Sequence, residues 1–179
     1  MKTILVTGAN RGIGFGIAKA LAGKHRVILG TRDIALKEQL TLKLPENVLI
    51  EKLDITSEND IENLANTIKN KFNKLDVLIN NAGIISENNQ PSTIQLSEVK
   101  RVMDTNFFGT WSLSQKMIPF LKNSAEAQII NISSGMGALN DLSGNYAAYR
   151  ISKSALNALT IMLANELAGK IKVNAVCPG

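Results

Sequence analysis

A tyrosine and a lysine four residues apart, Tyr149-Arg-Ile-Ser-Lys153, are the residues whose types and spacing best suit proton transfer in this chain. Apolar residues at Ala148, Ile151, Ala155, Leu159, Met162 and Leu163 recur at helical spacing, which predicts a helix over 149–167. Positions i and i+4 stack on one helix face, so the two side chains come within reach of each other. A phenol, with a pKa near ~10, is a poor acid–base group at neutral pH. An ammonium a few ångströms away favours the phenolate, each pKa unit being worth about 1.4 kcal/mol. Upstream, a serine of Ser133-Ser134-Gly135 at the end of a strand could hold the reacting oxygen. Alone, the pattern also fits an amphipathic helix that happens to contain Tyr and Lys, so its meaning rests on the elements around it.

Those elements alternate. Apolar, β-branched runs at 3–7, 26–29, 48–53, 75–80, 128–133 and 171–176 read as buried parallel strands. Helical patterns lie between them at 14–22, 35–42, 60–72, 96–121 and 149–167. Ser57 with Asp60 resembles a capping box for the third helix, and Ser97 is a candidate N-cap for the fourth. Repeated strand-to-helix alternation implies right-handed crossovers with helices on both faces of one sheet, an α/β doubly wound parallel fold. No repeat, low-complexity tract or linker divides residues 1–179, so a single domain is expected.

In such sheets ligands bind beyond the carboxyl ends of the strands, near the point where the winding reverses. The first strand runs into Thr7-Gly8-Ala9-Asn10-Arg11-Gly12-Ile13-Gly14, which opens directly into a helix. Glycines there allow a tight turn and let a pyrophosphate approach backbone N–H groups at a helix N-terminus. The spacing is G-x-x-x-G-x-G rather than the common G-x-G-x-x-G fingerprint. It lacks the Gly-Lys-Ser/Thr ending of a triphosphate loop, which argues against an ATPase. An ordinary glycine turn is the plainer alternative, but the place between first strand and first helix argues for a dinucleotide.

Composition narrows the class further. A chain of 179 residues, 45% apolar and 20% charged, has the make-up of a globular domain with a sizeable core. The net charge of +5 is spread among acids and reads as solvated surface, so no nucleic-acid partner is expected. A single cysteine, Cys177, excludes an intrachain disulfide or a multi-cysteine metal site, and no metal is expected. The N-terminal apolar run is too short for a signal peptide or membrane span, which makes cytoplasmic the default location.

Taken together, these residues resemble the short-chain dehydrogenase/reductase family. The matching pieces are the Thr7–Gly14 loop, Asn80-Asn81-Ala82-Gly83, Asn106, Ser133-Ser134, Tyr149-x-x-x-Lys153 and Pro178-Gly179, in the family's order along the chain. The run Tyr146-Ala-Ala-Tyr149-Arg-Ile-Ser-Lys153-Ser-Ala-Leu-Asn is most similar to sniffer-like and C-factor-like carbonyl reductases. The resemblance implies a Rossmann-type domain, C-terminally truncated relative to the family, and hydride transfer between a nicotinamide and a carbonyl or alcohol. It makes Tyr149 the proton donor and has Ser134, the second of its pair, hydrogen-bond the reacting oxygen. Lys153 then lowers the Tyr149 pKa and binds the nicotinamide ribose. Asn106 bends its helix and binds a relay water, though a satisfied core asparagine is the plainer alternative. Cofactor contacts are implied for Gly8, Asn10, Arg11, Gly12, Ile13, Gly14, Arg32, Asp54, Ile55, Asn81, Ala82, Gly83, Tyr149, Lys153, Pro178 and Gly179. Tyr146 is a decoy, because the residue four further on is Arg150.

Cofactor choice follows from charge. NAD-selective folds carry an acid about 20 residues past the glycine loop. Here the second strand ends Leu29-Gly30-Thr31-Arg32-Asp33. With Thr31 at the acidic position, no carboxylate repels a 2′-phosphate, and the forks of Arg32 and Arg11 can hold one. NADP(H) is therefore expected over NAD(H), although a one-residue shift would place Asp33 at the site. The interval from Ser134 to Tyr149 is longer than the family's, so the 136–145 loop must bulge. The chain also stops at Pro178-Gly179, where family members continue into a substrate lid. That keeps a dinucleotide-binding sensor open as the alternative to an enzyme. Apolar residues beyond one stripe on 96–121 and 149–167 (Trp111, Leu113, Met117, Ala158, Met162) suggest a homodimer or homotetramer through those helices.

Overall fold

Six parallel strands form one sheet in the computed structural model, which describes residues 1–178. They are β1 (Thr3–Thr7), β2 (Arg26–Thr31), β3 (Val48–Lys52), β4 (Val77–Asn80), β5 (Ala127–Ile132) and β6 (Ile171–Val176). Across the sheet the order is β3-β2-β1-β4-β5-β6, so the winding reverses between β1 and β4. This is the doubly wound α/β fold expected from the alternation. Gly179, expected at the cofactor site, lies outside the described residues.

Strand pleating sends alternate side chains to opposite faces, and helices cover both. Ile4, Val6, Val27 and Leu29 pack toward α1 (Gly12–Ala22) and α2 (Lys37–Thr41), which contribute Ala18, Ala22 and Leu40. Leu5, Ile28, Leu78 and Ile129 pack on the opposite face. There they meet α3 (Glu58–Lys71), α5 (Thr110–Leu121) and α6 (Ala147–Glu166) through Leu64, Ile68, Leu113, Met117, Leu156 and Leu159. Burying one such side chain contributes about 1.5–3 kcal/mol. Toward the β6 edge the first face is thinly covered, with Ile130 and Ile132 half-buried and Val176 exposed. At the amino ends of the strands, Asp76 accepts bonds from Thr3 N–H (2.7 Å), Ser124 Oγ (2.6 Å) and Lys74 Nζ (3.3 Å). Burial raises its carboxyl pKa, but those bonds outweigh it and hold the group below its ordinary value.

Several expectations need correction. The helix expected over 96–121 is three pieces: α4 (Leu96–Met103), a π turn (Asp104–Gly109) and α5. The π turn lies where Gly109 presses on the Ile55 carbonyl, a site at which a Cβ would come within 2.7 Å of that oxygen. Ser97 is not a cap, because Gln95 occupies that position and makes no side-chain cap bond. The Ser57 box is half formed. Ser57 Oγ accepts from Asp60 N–H (3.2 Å), but the Asp60 carboxylate accepts from Asp54 N–H (3.0 Å) and Lys52 Nζ (3.3 Å) instead. Ser57 N–H already serves the Asp54 carbonyl (3.0 Å) in the turn before the helix. The helix expected over 35–42 splits into a 3-10 turn (Ile34–Leu36) and α2, with Asp33 Oδ1 accepting from Ala35 N–H at 3.1 Å. Leu113 and Met117 are fully buried in the core, so they belong to no assembly face. No helix among the described residues is long and apolar enough to cross a membrane.

Candidate active site

The loop between β1 and α1 owes its shape to two left-handed glycines, Gly8 (φ +60) and Gly12 (φ +57). A Cβ at Gly8 would lie 2.9 Å from the Ala82 Cα, and one at Gly14 would overlap the Asn81 amide. Close approach is needed because Asn81 latches the loop to the end of β4. Its Nδ2 donates to the Thr7 and Gly8 carbonyls (2.8 and 3.2 Å), while Thr7 Oγ1 accepts from Asn81 and Ala82 N–H (3.0 and 2.9 Å). Asn81 thus serves the backbone and also stands on the cavity wall.

Beyond the latch lies a cavity of about 370 Å³. Gly8, Asn10, Arg11, Gly12, Ile13 and Gly14 reach it from the loop. Arg32 reaches it from the end of β2, Asp54 and Ile55 from the end of β3, and Asn81, Ala82 and Gly83 from β4. Thr31 is buried and Arg32 exposed at this rim. Asp33 turns its Oδ1 to the Ala35 N–H, which commits one carboxylate oxygen to the chain. Asp54 Oδ1 accepts from Thr56 N–H and Oγ1 (2.9 and 2.7 Å), which commits that oxygen to the local turn. Glycine-lined backbone, a helix N-terminus and two exposed arginines form a cradle suited to a phosphorylated dinucleotide.

A second cavity of about 900 Å³ adjoins the first and shares Arg11, Ile13, Asn81, Gly83 and Ile84 with it. Its walls bring together Ser134, Tyr149, Lys153 and Pro178 from three separate chain segments. Lys153 is 5% exposed and donates to the Ile132 carbonyl, the last of β5, at 2.7 Å. Its Nζ stands 5.7 Å from the centre of the Tyr149 ring, within cation–π range. Burial pushes the Lys153 ammonium down from its ordinary 10.5 to about 8.

The two serines divide the work. Ser133 is buried and donates to Asn157 Oδ1 at 2.6 Å. Ser134 Oγ only accepts, from Met136 N–H at 3.2 Å, and so keeps its own proton to offer. Asn106, 1% exposed, is saturated by the chain. Its Oδ1 accepts from Ile84 N–H (2.8 Å), and its Nδ2 donates to the Ile84 carbonyl (2.8 Å) and Ser152 Oγ (3.0 Å). It sits inside the π turn, a feature that concentrates at functional sites. Ser152 passes the bond on to the Tyr149 carbonyl at 2.7 Å. Sequence reasoning missed Thr7, Ser152 and Asn157. The signal for Asn157 is its polarity four residues past Lys153, one turn further along the same helix.

A sequence model of the family described as short chain dehydrogenase matches residues 2–179. The chain belongs to the short chain dehydrogenase family. Among relatives of this dehydrogenase domain, L-fucose dehydrogenase of Bos taurus is 31% identical over 180 residues, covering 99% of this chain and 65% of the relative. The chain thus spans just under two thirds of that relative's length. A Caenorhabditis elegans protein assigned as the carbonyl reductase Sniffer superposes with a TM-score of 0.91 at 29% identity, over 99% of this chain and 83% of that one. The 3-ketoacyl-(acyl-carrier-protein) reductase of Brucella melitensis, solved with NADH, superposes with a TM-score of 0.90 at 33% identity, over 99% and 74%. The short chain dehydrogenase resemblance read from the motifs, including its sniffer-like cast, agrees with these matches.

Burial of Lys153 has a measurable consequence for the cofactor-free protein. Below about pH 8 the amine is protonated in both folded and unfolded states. Between about 8 and 10.5 the unfolded chain binds a proton that the folded protein has released, so stability rises with pH, by at most about 1.4 kcal/mol per unit. Urea unfolding at pH 7.5, 8.5 and 9.5 should show this rise in the unmutated protein and its loss in Lys153→Met. Parallel pH profiles for the two proteins would contradict the burial assigned to Lys153.

Proposed function

We propose that the protein is an NADP(H)-dependent oxidoreductase that moves hydride between the nicotinamide and a small carbonyl or alcohol substrate. The observation that carries this reading is one continuous cavity system. It joins the glycine loop to a wall on which Ser134, Tyr149 and the buried Lys153 converge. When bound, the nicotinamide supplies the hydride. Tyr149 gives its hydroxyl proton to the oxygen of the reacting carbonyl, as general acid. Ser134 donates a hydrogen bond to the same oxygen and holds it beside the phenol. Lys153 keeps positive charge next to Tyr149 and, with its proton loosened by burial, can return one to the phenol after each turnover. Asn106 acts through Ile84 and Ser152, tying the segment after β4 to the helix turn that carries Tyr149. The names of the relatives, dehydrogenases and reductases, do not favour a dinucleotide sensor without turnover.

Cofactor preference rests on this chain's own charges, since the Brucella melitensis neighbour holds NADH. Support for NADP(H) comes from Thr31 at the end of β2, with Arg32 and Arg11 exposed around the cavity rim. A cytoplasmic location is proposed with it. We also propose assembly as a homodimer or homotetramer through the α4–α5 and α6 helices. In place of Leu113 and Met117, the residues supporting it are Phe108, Ile151, Ile161 and Met162, 53%, 48%, 63% and 62% exposed.

Three outcomes are expected, each in the longest chain that the gene encodes. Tyr149→Phe removes only the hydroxyl and should slow carbonyl reduction by about 10²–10⁴-fold while NADPH binding is kept; an intact rate would remove Tyr149 from its role. Arg32→Asp should weaken NADPH binding by about 1.5–3 kcal/mol, the range for charged hydrogen bonds, and strengthen NADH binding. Equal affinity of the unmutated protein for both cofactors, by titration calorimetry, would sink the preference. Multi-angle light scattering at micromolar concentration should give at least a dimer, and Ile161→Glu with Met162→Glu should shift it to monomer.

A further inference from the structure

Between the serine pair and α6 runs an irregular segment, 136–145, built of 3-10 turns at Gly135–Gly137 and Leu139–Asp141. Most of it is exposed, and Leu139 is 78% exposed. Met136, at its start, lines the cavity beside Ser134 and Tyr149. A loop of this kind has few core contacts of its own to keep it in one place. One residue reaches almost its whole length. Arg150, immediately after Tyr149, donates through Nε to the Asn145 carbonyl (2.9 Å) and Oδ1 (3.0 Å), and through Nη2 to Oδ1 (2.9 Å). Its Nη1 donates to the Asp141 carbonyl (3.2 Å) and the Met136 carbonyl (3.4 Å).

The first, middle and last residues of the loop are therefore tied to one planar guanidinium, whose fixed fork suits such divergent acceptors. None of its hydrogen-bond partners is a carboxylate, so the charge is spent on carbonyls and an amide of the loop rather than on an ion pair. Ser154 Oγ and Asn157 Nδ2 add bonds to the Gly137 carbonyl (3.0 and 3.2 Å). Arg150, Ser154 and Asn157 follow i, i+4, i+7 spacing and form a polar stripe beside Tyr149 and Lys153 on the same helix. At the junction with α6 the chain passes through Tyr146 at φ +48, a left-handed conformation unusual for a tyrosine. The bonds of Arg150 to Asn145 hold the residue just before it.

We propose that Arg150 is a positioning residue that fixes the 136–145 segment, and with it Met136 on the wall of the carbonyl pocket, and so sets which substrates fit. The role in substrate choice rests on the reading of that pocket as a carbonyl-reducing site; the clamp itself does not. Arg150→Met should raise KM for bulky aryl aldehydes by about tenfold or more, the loss expected for one charged hydrogen bond or more. NADPH affinity and kcat at saturation should stay near those of the unmutated protein. Arg150→Lys, a point charge without the fork, should fail to restore KM. Asn145→Ala removes the two bonds to its side-chain oxygen from the loop side, leaves α6 intact, and should speed exchange of the 143–145 amides, which decides the matter if Arg150→Met does not fold. In the double variant the two effects should not add.

Hydrogen exchange of the 136–145 amides in the NADPH-bound protein reads the clamp without turnover and should speed up in Arg150→Met. If the unmutated protein reduces no carbonyl, the proposed function fails while this exchange still decides the clamp. Unchanged exchange, or unchanged KM in an active protein, would overturn the assignment of Arg150.

Discussion

A lysine amine buried at the carboxyl end of β5 is the constraint around which the site is arranged. Taking a cation out of water is costly, and here a single backbone carbonyl, that of Ile132, receives its hydrogen bond. That bond ties α6 to the end of β5 one turn past Tyr149. Gly137 must be glycine for the same reason, since a Cβ there would lie 2.7 Å from the Lys153 backbone. Gly83 comes close from the other side, where a Cβ would stand 3.7 Å from the amine and 3.3 Å from Asn106 Oδ1. The unfavourable burial shows in the lysine's lowered pKa, and the same burial makes its proton mobile near neutral pH.

Around that amine the fold answers a backbone accounting problem with side-chain amides. Asn81 satisfies two carbonyls at the start of the glycine loop, and Asn106 satisfies both polar groups of Ile84. Strand ends at a switch point leave backbone groups without ladder partners, and buried ones must find others. A neutral amide suits the task because it both donates and accepts. The outcome is a bonded rim on which the exposed Arg11 and Arg32 face the cavity.

How much of this was legible in the chain varied with the range of the cause. The fold class, five β-to-α alternations and the glycine loop followed from local pattern, because parallel strands buried on both faces must read as apolar runs. Tyr149 and Lys153 were paired from helical spacing alone, which is a local fact. The single helix expected over 96–121 was wrong in its middle. Apolar periodicity registers a π turn poorly, and here it lies where Gly109 meets the distant Ile55 carbonyl. Leu113 and Met117 were assigned to an assembly face for a related reason: periodicity tells that a helix has apolar sides, not which side meets the sheet.

By itself, then, the sequence determined the order of elements, the glycine loop after β1 and the placing of Tyr149 and Lys153 on one helix face, all set by residues close in the chain. Ser134 was preferred from the resemblance, but only the tertiary structure gave the physical reason it keeps a proton to give: Ser133 is consumed by Asn157, 24 residues away. Folding alone made Lys153 a weak holder of its proton, since desolvation comes from everything packed around it. It also turned Arg150, which in the sequence served only to mark Tyr146 as a decoy, into the clasp of a neighbouring loop. Hydrogen bonds and burial between segments far apart in the chain leave no period to read, and they are what tune residues that local pattern can only name.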